Sequence, residues 1–278
     1  MIGQFEYKSI HSSVYGVYFK TIKRPLMPPI IPKLVSINGS SGSYDFGDND
    51  YGNVSIEVKI AYIPTSFIER KQRARQIASW LNSTTWQKLI FGDETDKYYL
   101  ARVQGQVDLD ALIAVGEANI SFICQPFAYR VVDTYIDDVT WDEADFPWIT
   151  EVTWAMDEGF KFTVITPSNV EFENVGTKEI NFRSPQGSKF DIRINGSFTT
   201  LSLTLNGKIL NYNQAVASGL VTIDNVNMEV DFNGINKLNV ISGDLAIFLT
   251  TIPGSNVLNV SGTNLNVEVT IDFAPMYL

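Results

Sequence analysis

From Phe160 to Phe273 the chain is a succession of short runs in which apolar and polar residues alternate, with three Asn-Gly pairs between or beside them. The runs are Phe160–Ile165, Phe190–Ile194, Leu201–Leu205, Met228–Phe232 and Leu265–Phe273. Period-two alternation buries one face of an extended strand and leaves the other in water. Asn-Gly supplies the positive φ that a two-residue hairpin turn requires, so the pairs beginning at Asn195, Asn206 and Asn233 are expected to join strands. No run of helical spacing interrupts them. This half is therefore expected to fold as an all-β sandwich, a jelly roll.

The first half mixes strands with one helix. Val54–Ile60 alternates strictly and Pro64 ends it. Ser66 with Glu69 forms a capping box opening a helix over about 66–81. Phe67, Ala74, Ile77, Ala78 and Leu81 share one helical face, and Arg70, Lys71, Arg73 and Arg75 cover much of the remainder. Strands over Lys97–Val107 and Glu117–Cys124 follow, and Pro126 is expected to close the domain. The fold class is mainly β. A β-sandwich or split-barrel-like domain with one helix occupies 1–132, a linker or domain entry 133–150, and the β-sandwich 151–278.

Residues 14–37 are apolar and broken by Pro25, Pro28, Pro29 and Pro32, none of which can donate to a ladder. Such a segment reads as an extended edge or arm. Left in water it would be an association liability, so a partner subunit is expected to cover it. Arg24, Pro25, Leu26, Met27, Pro28, Pro29, Ile30 and Ile31 are the candidate interface. The glycines Gly39 and Gly42 that follow belong to a turn; the lysine and hydroxyl residue of a phosphate-binding loop are missing beside them.

Charge and composition narrow the chemistry. Residues 1–130 hold 14 Lys/Arg against 12 Asp/Glu, a balance of +2, while 131–278 hold 7 against 19, a balance of −12, giving the chain's −10. So acidic a second half disfavours nucleic acid or an anionic membrane as its ligand. The one cysteine, Cys124, excludes an intrachain disulfide and sits in an apolar strand where an inert thiol is expected. The one histidine, His11, lies in a polar stretch without an acidic neighbour to orient it, so no triad is expected and no histidine/cysteine zinc site is possible. Asp133, Asp137, Asp138, Asp142, Glu143 and Asp145 crowd around two tryptophans, but no glycine lies between Asp133 and Glu158 to shape a calcium loop. Solvated loop acids are expected there. Trp141, Trp148 and Trp154 are the candidates for a sugar-stacking surface, with core packing as the simpler role. No cofactor is expected. Met1–Lys8 lacks the pattern of a secretory signal, and no stretch approaches the roughly 18 apolar residues of a membrane span.

The order of certain fragments resembles the distal tail (Dit) proteins of siphophages. In the first half these are Tyr15-Gly-Val, the turn at Gly39–Gly42, Ile77-Ala-Ser-Trp-Leu81, Leu89-Ile-Phe with Asp93 and Tyr98-Tyr99, and Phe122-Ile-Cys-Gln-Pro126. In the second they are Asn174-Val-Gly-Thr, Ile194-Asn-Gly-Ser197, Ser242-Gly-Asp, Pro253-Gly-Ser-Asn256, Gly262 and the ending Phe273-Ala-Pro-Met-Tyr-Leu278. The resemblance implies a structural protein, not an enzyme. Its first domain would close a homohexameric ring, and a jelly roll similar to galectins or carbohydrate-binding modules would decorate the outside. The ring would join the tail tube protein to the tail-associated tip protein and the receptor-binding or baseplate proteins, with DNA passing through its lumen. The place of such a protein is the virion, after assembly in the host cytoplasm. The second half is short for the sugar-binding insertions of the largest family members. Glycan binding through Trp141, Trp148 and Trp154 is thus the alternative reading.

Overall fold

A computed structural model describes residues 3–39, 41–45, 50–62, 67–105, 116–131, 160–245 and 248–278. The capping box at Ser66, the 133–150 segment with its acids, and Trp141, Trp148 and Trp154 lie outside the described residues. Two compact units are present, Met1–Val131 with Leu278, and Val132–Tyr277.

The strands of the first unit are β1 (Phe5–Tyr7), β2 (Ile10–His11), β3 (Val17–Lys23), β4 (Ile30–Ile31), β5 (Leu34–Ser36), β6 (Ser43–Asp45), β7 (Asp50–Tyr51), β8 (Val54–Tyr62), β9 (Gln87–Phe91), β10 (Glu94–Gln104) and β11 (Glu117–Arg130). Its helix, α1, is Phe67–Leu81. The main antiparallel sheet runs β2-β1-β9-β10-β11-β8-β3. Its far ends meet, because Gly3 and Phe19 exchange backbone hydrogen bonds of 3.1 and 2.9 Å and bring the start of the chain beside β3. The sheet thus curls on itself around Phe5, Tyr7, Phe19, Ile56, Ile60, Phe91 and Phe122. Closure needs glycine at position 3, where a Cβ would lie 2.2 Å from the Phe19 ring.

Helix α1 packs on this core through Ala74, Ile77, Trp80 and Leu81, whereas Ala78, expected on the buried face, is exposed. The inward stripe is centred one residue further round than the small residues imply, because Trp80 takes the available space. Its ring stacks on Phe5 at 5.4 Å and on Tyr15 at 5.0 Å, and its indole N–H donates to the Tyr7 carbonyl at 2.9 Å.

Pro126 does not end β11; the strand continues to Arg130. Opposite it the register jumps from Ala101↔Cys124 to Tyr99↔Ala128, so Pro126 sits in a bulge, where no ladder donor is required of it.

The second unit is a sandwich of two antiparallel sheets. Its strands are β12 (Phe160–Val164), β13 (Ser168–Asn174), β14 (Phe190–Phe198), β15 (Thr200–Leu205), β16 (Lys208–Tyr212), β17 (Val216–Asp224), β18 (Glu229–Phe232), β19 (Ile235–Asn236), β20 (Ile241–Gly243), β21 (Gly254–Thr263) and β22 (Asn266–Phe273). One sheet has the order β12-β22-β14-β17-β18-β19 and the other β13-β21-β15-β16-β20. Aromatic contacts cross between them, Phe172 to Phe273 at 5.7 Å and Phe198 to Tyr212 at 5.6 Å.

Two Asn-Gly pairs make the hairpins expected of them. Asn206-Gly207 joins β15 to β16 and Asn233-Gly234 joins β18 to β19, all four residues having positive φ. The third does not. Asn195-Gly196 runs inside β14, where Gly196 lets β22 approach closely, since a Cβ there would lie 2.2 Å from the Asn266 carbonyl oxygen.

Candidate assembly interface

The proline-rich stretch leaves the end of β3 and returns as an arm. Its outward limb is β4 and β5 and its return limb β6 and β7, paired as β5 with β6 and β4 with β7. The prolines fall beside these ladders, not within them: Pro29 contributes its carbonyl, which accepts from Gly52 N–H at 2.7 Å. Gly39 and Gly42 take φ of 88° and 92° at the tip, as the turn demands. The sequence foretold an arm but not its second limb.

The arm is fixed at its root. Arg24 pairs with Asp93 and with Glu94 (3.2 Å), and its guanidinium lies 4.3 Å from the centroid of the Phe91 ring. Pro28 is buried. Tyr51 meets Phe127 edge-on at 5.2 Å. Of the predicted interface residues, Arg24 and Pro28 thus serve the unit's own packing. Pro25, Leu26, Met27, Pro29, Ile30 and Ile31 face solvent, Leu26 at 94% exposure and Met27 at 56%. Leu34, Val35, Ile37 and Tyr44 extend the exposed surface toward the tip. At the base, Pro25, Met27, Pro28, Pro29, Ile30 and Val54 line an open groove of about 540 Å³.

An isolated two-stranded ribbon is at best marginally stable in water. One that also exposes Leu, Ile and Val on so many positions loses the burial, about 25 cal/mol per Å², that a covering partner would supply. Among the described residues of the first unit, Val14 and Leu278 are the other large apolar side chains so exposed.

The residues weighed for chemistry have structural occupations. His11 caps the short 3-10 turn Ser12–Tyr15, its Nδ1 lying 2.6 Å from Ser13 Oγ. Cys124 is fully buried, and burial pushes its thiol up to about 12. Among the described residues no group of His, Cys, Asp or Glu is placed to hold a metal ion, and no helix is long and apolar enough to cross a membrane.

Residues 12–124, within the first unit, match the family model of the phage tail protein RIFT-related domain. Over its full length the chain has the fold of the Dit protein (gp 19.1) of phage SPP1, with a TM-score of 0.67, 14% identity and 100% of both chains covered. That protein is described as a paradigm of the hub adsorption apparatus in phages infecting Gram-positive bacteria. A chain of the phage P2 baseplate, in its activated conformation with Ca, aligns with a TM-score of 0.43 and 10% identity over 95% of this chain and 99% of its own. No curated protein sequence matches. The resemblance to distal tail proteins drawn from the sequence is borne out, and with it the mainly β fold class.

Proposed function

We propose that this chain is the structural hub subunit at the distal end of a phage tail. It closes a homohexameric ring between the tail tube and the tip or baseplate proteins and leaves a lumen for DNA. The observation that carries this reading is the arm's exposed apolar surface, Leu26, Met27, Ile30, Ile31, Leu34 and Val35, on a unit whose residues 12–124 match a phage tail family model. In a ring, one patch of each subunit meets a different patch of the next until the rotation closes. An arm rooted by Arg24 and Pro28 and apolar beyond them is suited to lie across a neighbour. The role is geometric. It calls for no catalytic residue, cofactor or metal, and it places the protein in the virion.

Leu26→Asp, Ile31→Asp and Leu34→Asp test the reading, because these side chains are exposed and their exchange leaves the unit's own core intact. The expected outcome is a folded protein, unchanged by circular dichroism, that no longer assembles. A triple variant that assembles as the parent does would remove the arm from the interface.

A further inference from the structure

Four Asn-Gly pairs occur in the whole chain, beginning at Asn38, Asn195, Asn206 and Asn233. Each holds the reactants of one intramolecular reaction, in which the backbone nitrogen of the glycine attacks the side-chain amide carbon of the asparagine. Glycine favours the attack, because no Cβ crowds its nitrogen and its backbone turns freely. What separates the four pairs is how firmly each asparagine side chain and each backbone is held.

The side-chain amide of Asn206 donates to the Thr250 carbonyl and to Asn256 Oδ1, both at 2.8 Å. Asn233 Oδ1 accepts from Leu220 N–H at 2.9 Å, and the Asn233 N–H donates to the Leu220 carbonyl at 2.9 Å. Asn195 and Gly196 stand inside β14, opposite Leu220 and Gly219 of β17 on one side and Glu268 and Val267 of β22 on the other. At these three the attack needs a hairpin or a sheet to open. Asn38 is different. It is exposed at the tip of the arm, and neither its side chain nor the Gly39 N–H forms a hydrogen bond among the described residues. A Cβ built on Gly39 would meet nothing within 4 Å, so the turn has open space in which to move.

We propose that Asn38 is a site of self-modification that takes unassembled copies out of use. The Gly39 nitrogen bonds to the Asn38 side-chain carbon, the bond from that carbon to the amide nitrogen breaks, and ammonia leaves with the proton from the Gly39 N–H. A cyclic imide remains. One water opens it, leaving isoaspartate after attack at the main-chain carbonyl or aspartate after attack at the side-chain carbonyl. The sum is one water taken up and one ammonia released, with no oxidant or reductant. Either product sets a carboxylate next to Ile37, at a tip whose Leu34, Val35 and Tyr44 are exposed. A carboxylate carried into an apolar contact loses its water without gaining a partner, and isoaspartate also lengthens the main chain of the turn by one carbon. A neighbour that covers the tip first holds the side chain still, so assembled copies are spared. The effect on assembly rests on the ring reading above; the chemistry at Asn38 does not.

The full chain, fresh and after weeks at 37 °C and pH 8, decides it by peptide mass spectrometry and light scattering. The Asn38 peptide should lose its amide and become a substrate for an isoaspartyl methyltransferase, while the peptides of Asn195, Asn206 and Asn233 keep theirs. With age the mass of the parent should fall toward the 31.1 kDa monomer. Asn38→Gln should hold its mass, because the longer side chain must close a six-membered imide. An intact Asn38 peptide, or equal loss at the other three pairs, overturns the site. A modified Asn38 in a parent that assembles as well aged as fresh overturns the effect on assembly. A fresh parent that is already monomeric overturns the ring reading and that effect with it, while the peptide readout still decides the site.

Discussion

Asp191→Asn is expected to stabilise the second unit at neutral pH, for a reason that lies in which residues oppose one another across its larger sheet. Glu229 on β18, Asp224 on β17, Asp191 on β14 and Asp272 on β22 are directly opposite in register, so four carboxylates cross four adjacent strands in one row. Like charges placed so are destabilising. Asp272 is relieved by Lys189 and by Arg193 at 2.8 Å, and Asp224 accepts from the backbone N–H groups of Val226 and Asn227 at 3.0 and 2.8 Å. Asp191 has Arg193 at 3.7 Å, a cation already engaged with Asp272, and its side chain is 18% exposed. Burial first, and then the Asp224 carboxylate, push it from 3.8 up to about 6.

A pKa raised in the folded state means that the folded protein holds the proton more tightly than the unfolded chain. The penalty is fully present above about pH 6 and is relieved as pH falls toward 3.8. At about 1.36 kcal/mol per pH unit, that rise corresponds to about 3 kcal/mol, as an order of magnitude. Asparagine carries no charge to desolvate. The variant should gain about 1–3 kcal/mol at pH 7.5 in urea unfolding followed by circular dichroism, the transition of the second unit being fitted by itself. The gain should shrink to about a third at pH 4.5 and to little at about pH 3.5, below the unfolded value of 3.8. A variant no more stable than the parent at pH 7.5, or one whose advantage survives acidification, would refute the reasoning.

Three further outcomes are expected. Trp80→Phe keeps the stacking on Phe5 but takes the indole donor from the Tyr7 carbonyl, and should cost about 0.5–1.5 kcal/mol in the first unit's unfolding transition. Gly196→Ala puts a Cβ 2.2 Å from the Asn266 carbonyl at a φ of 140°, so β22 must shift and the melting temperature should fall, whereas Gly207→Ala, with open space around it, should cost less. Cys124, buried and with its thiol held near 12, should stay unreactive toward a disulfide reagent at pH 8 in the native protein and react at once in denaturant.

Much of this architecture was legible where one local rule acts alone. The alternation of Val54–Ile60 became β8, and Asn206-Gly207 and Asn233-Gly234 became hairpins, because period and turn chemistry are decided within a few residues. Legibility failed where a distant segment decides. Asn195-Gly196 has the same local signal, but its backbone is claimed by β22, some seventy positions away. Pro126 reads as a terminator until β10 is seen to bulge it outward. The exposed side of Ala78 depends on the room that Phe5 and Tyr15 leave for Trp80. Closure of the first sheet hangs on Gly3, whose need for a missing Cβ is set by Phe19 across the barrel. Of the interface, the apolar outward limb was readable from its prolines. The return limb was not, because Ser43–Tyr51 is rich in Asp and shows no apolar alternation by itself.

The central claim is a closed ring, and the most direct test is the solution mass of the purified full-length chain by multi-angle light scattering. The account predicts a discrete species of about 187 kDa, six times the 31.1 kDa subunit, that the arm substitutions abolish. A 31.1 kDa monomer at every concentration and salt, or an open series of masses without a closed endpoint, would contradict it.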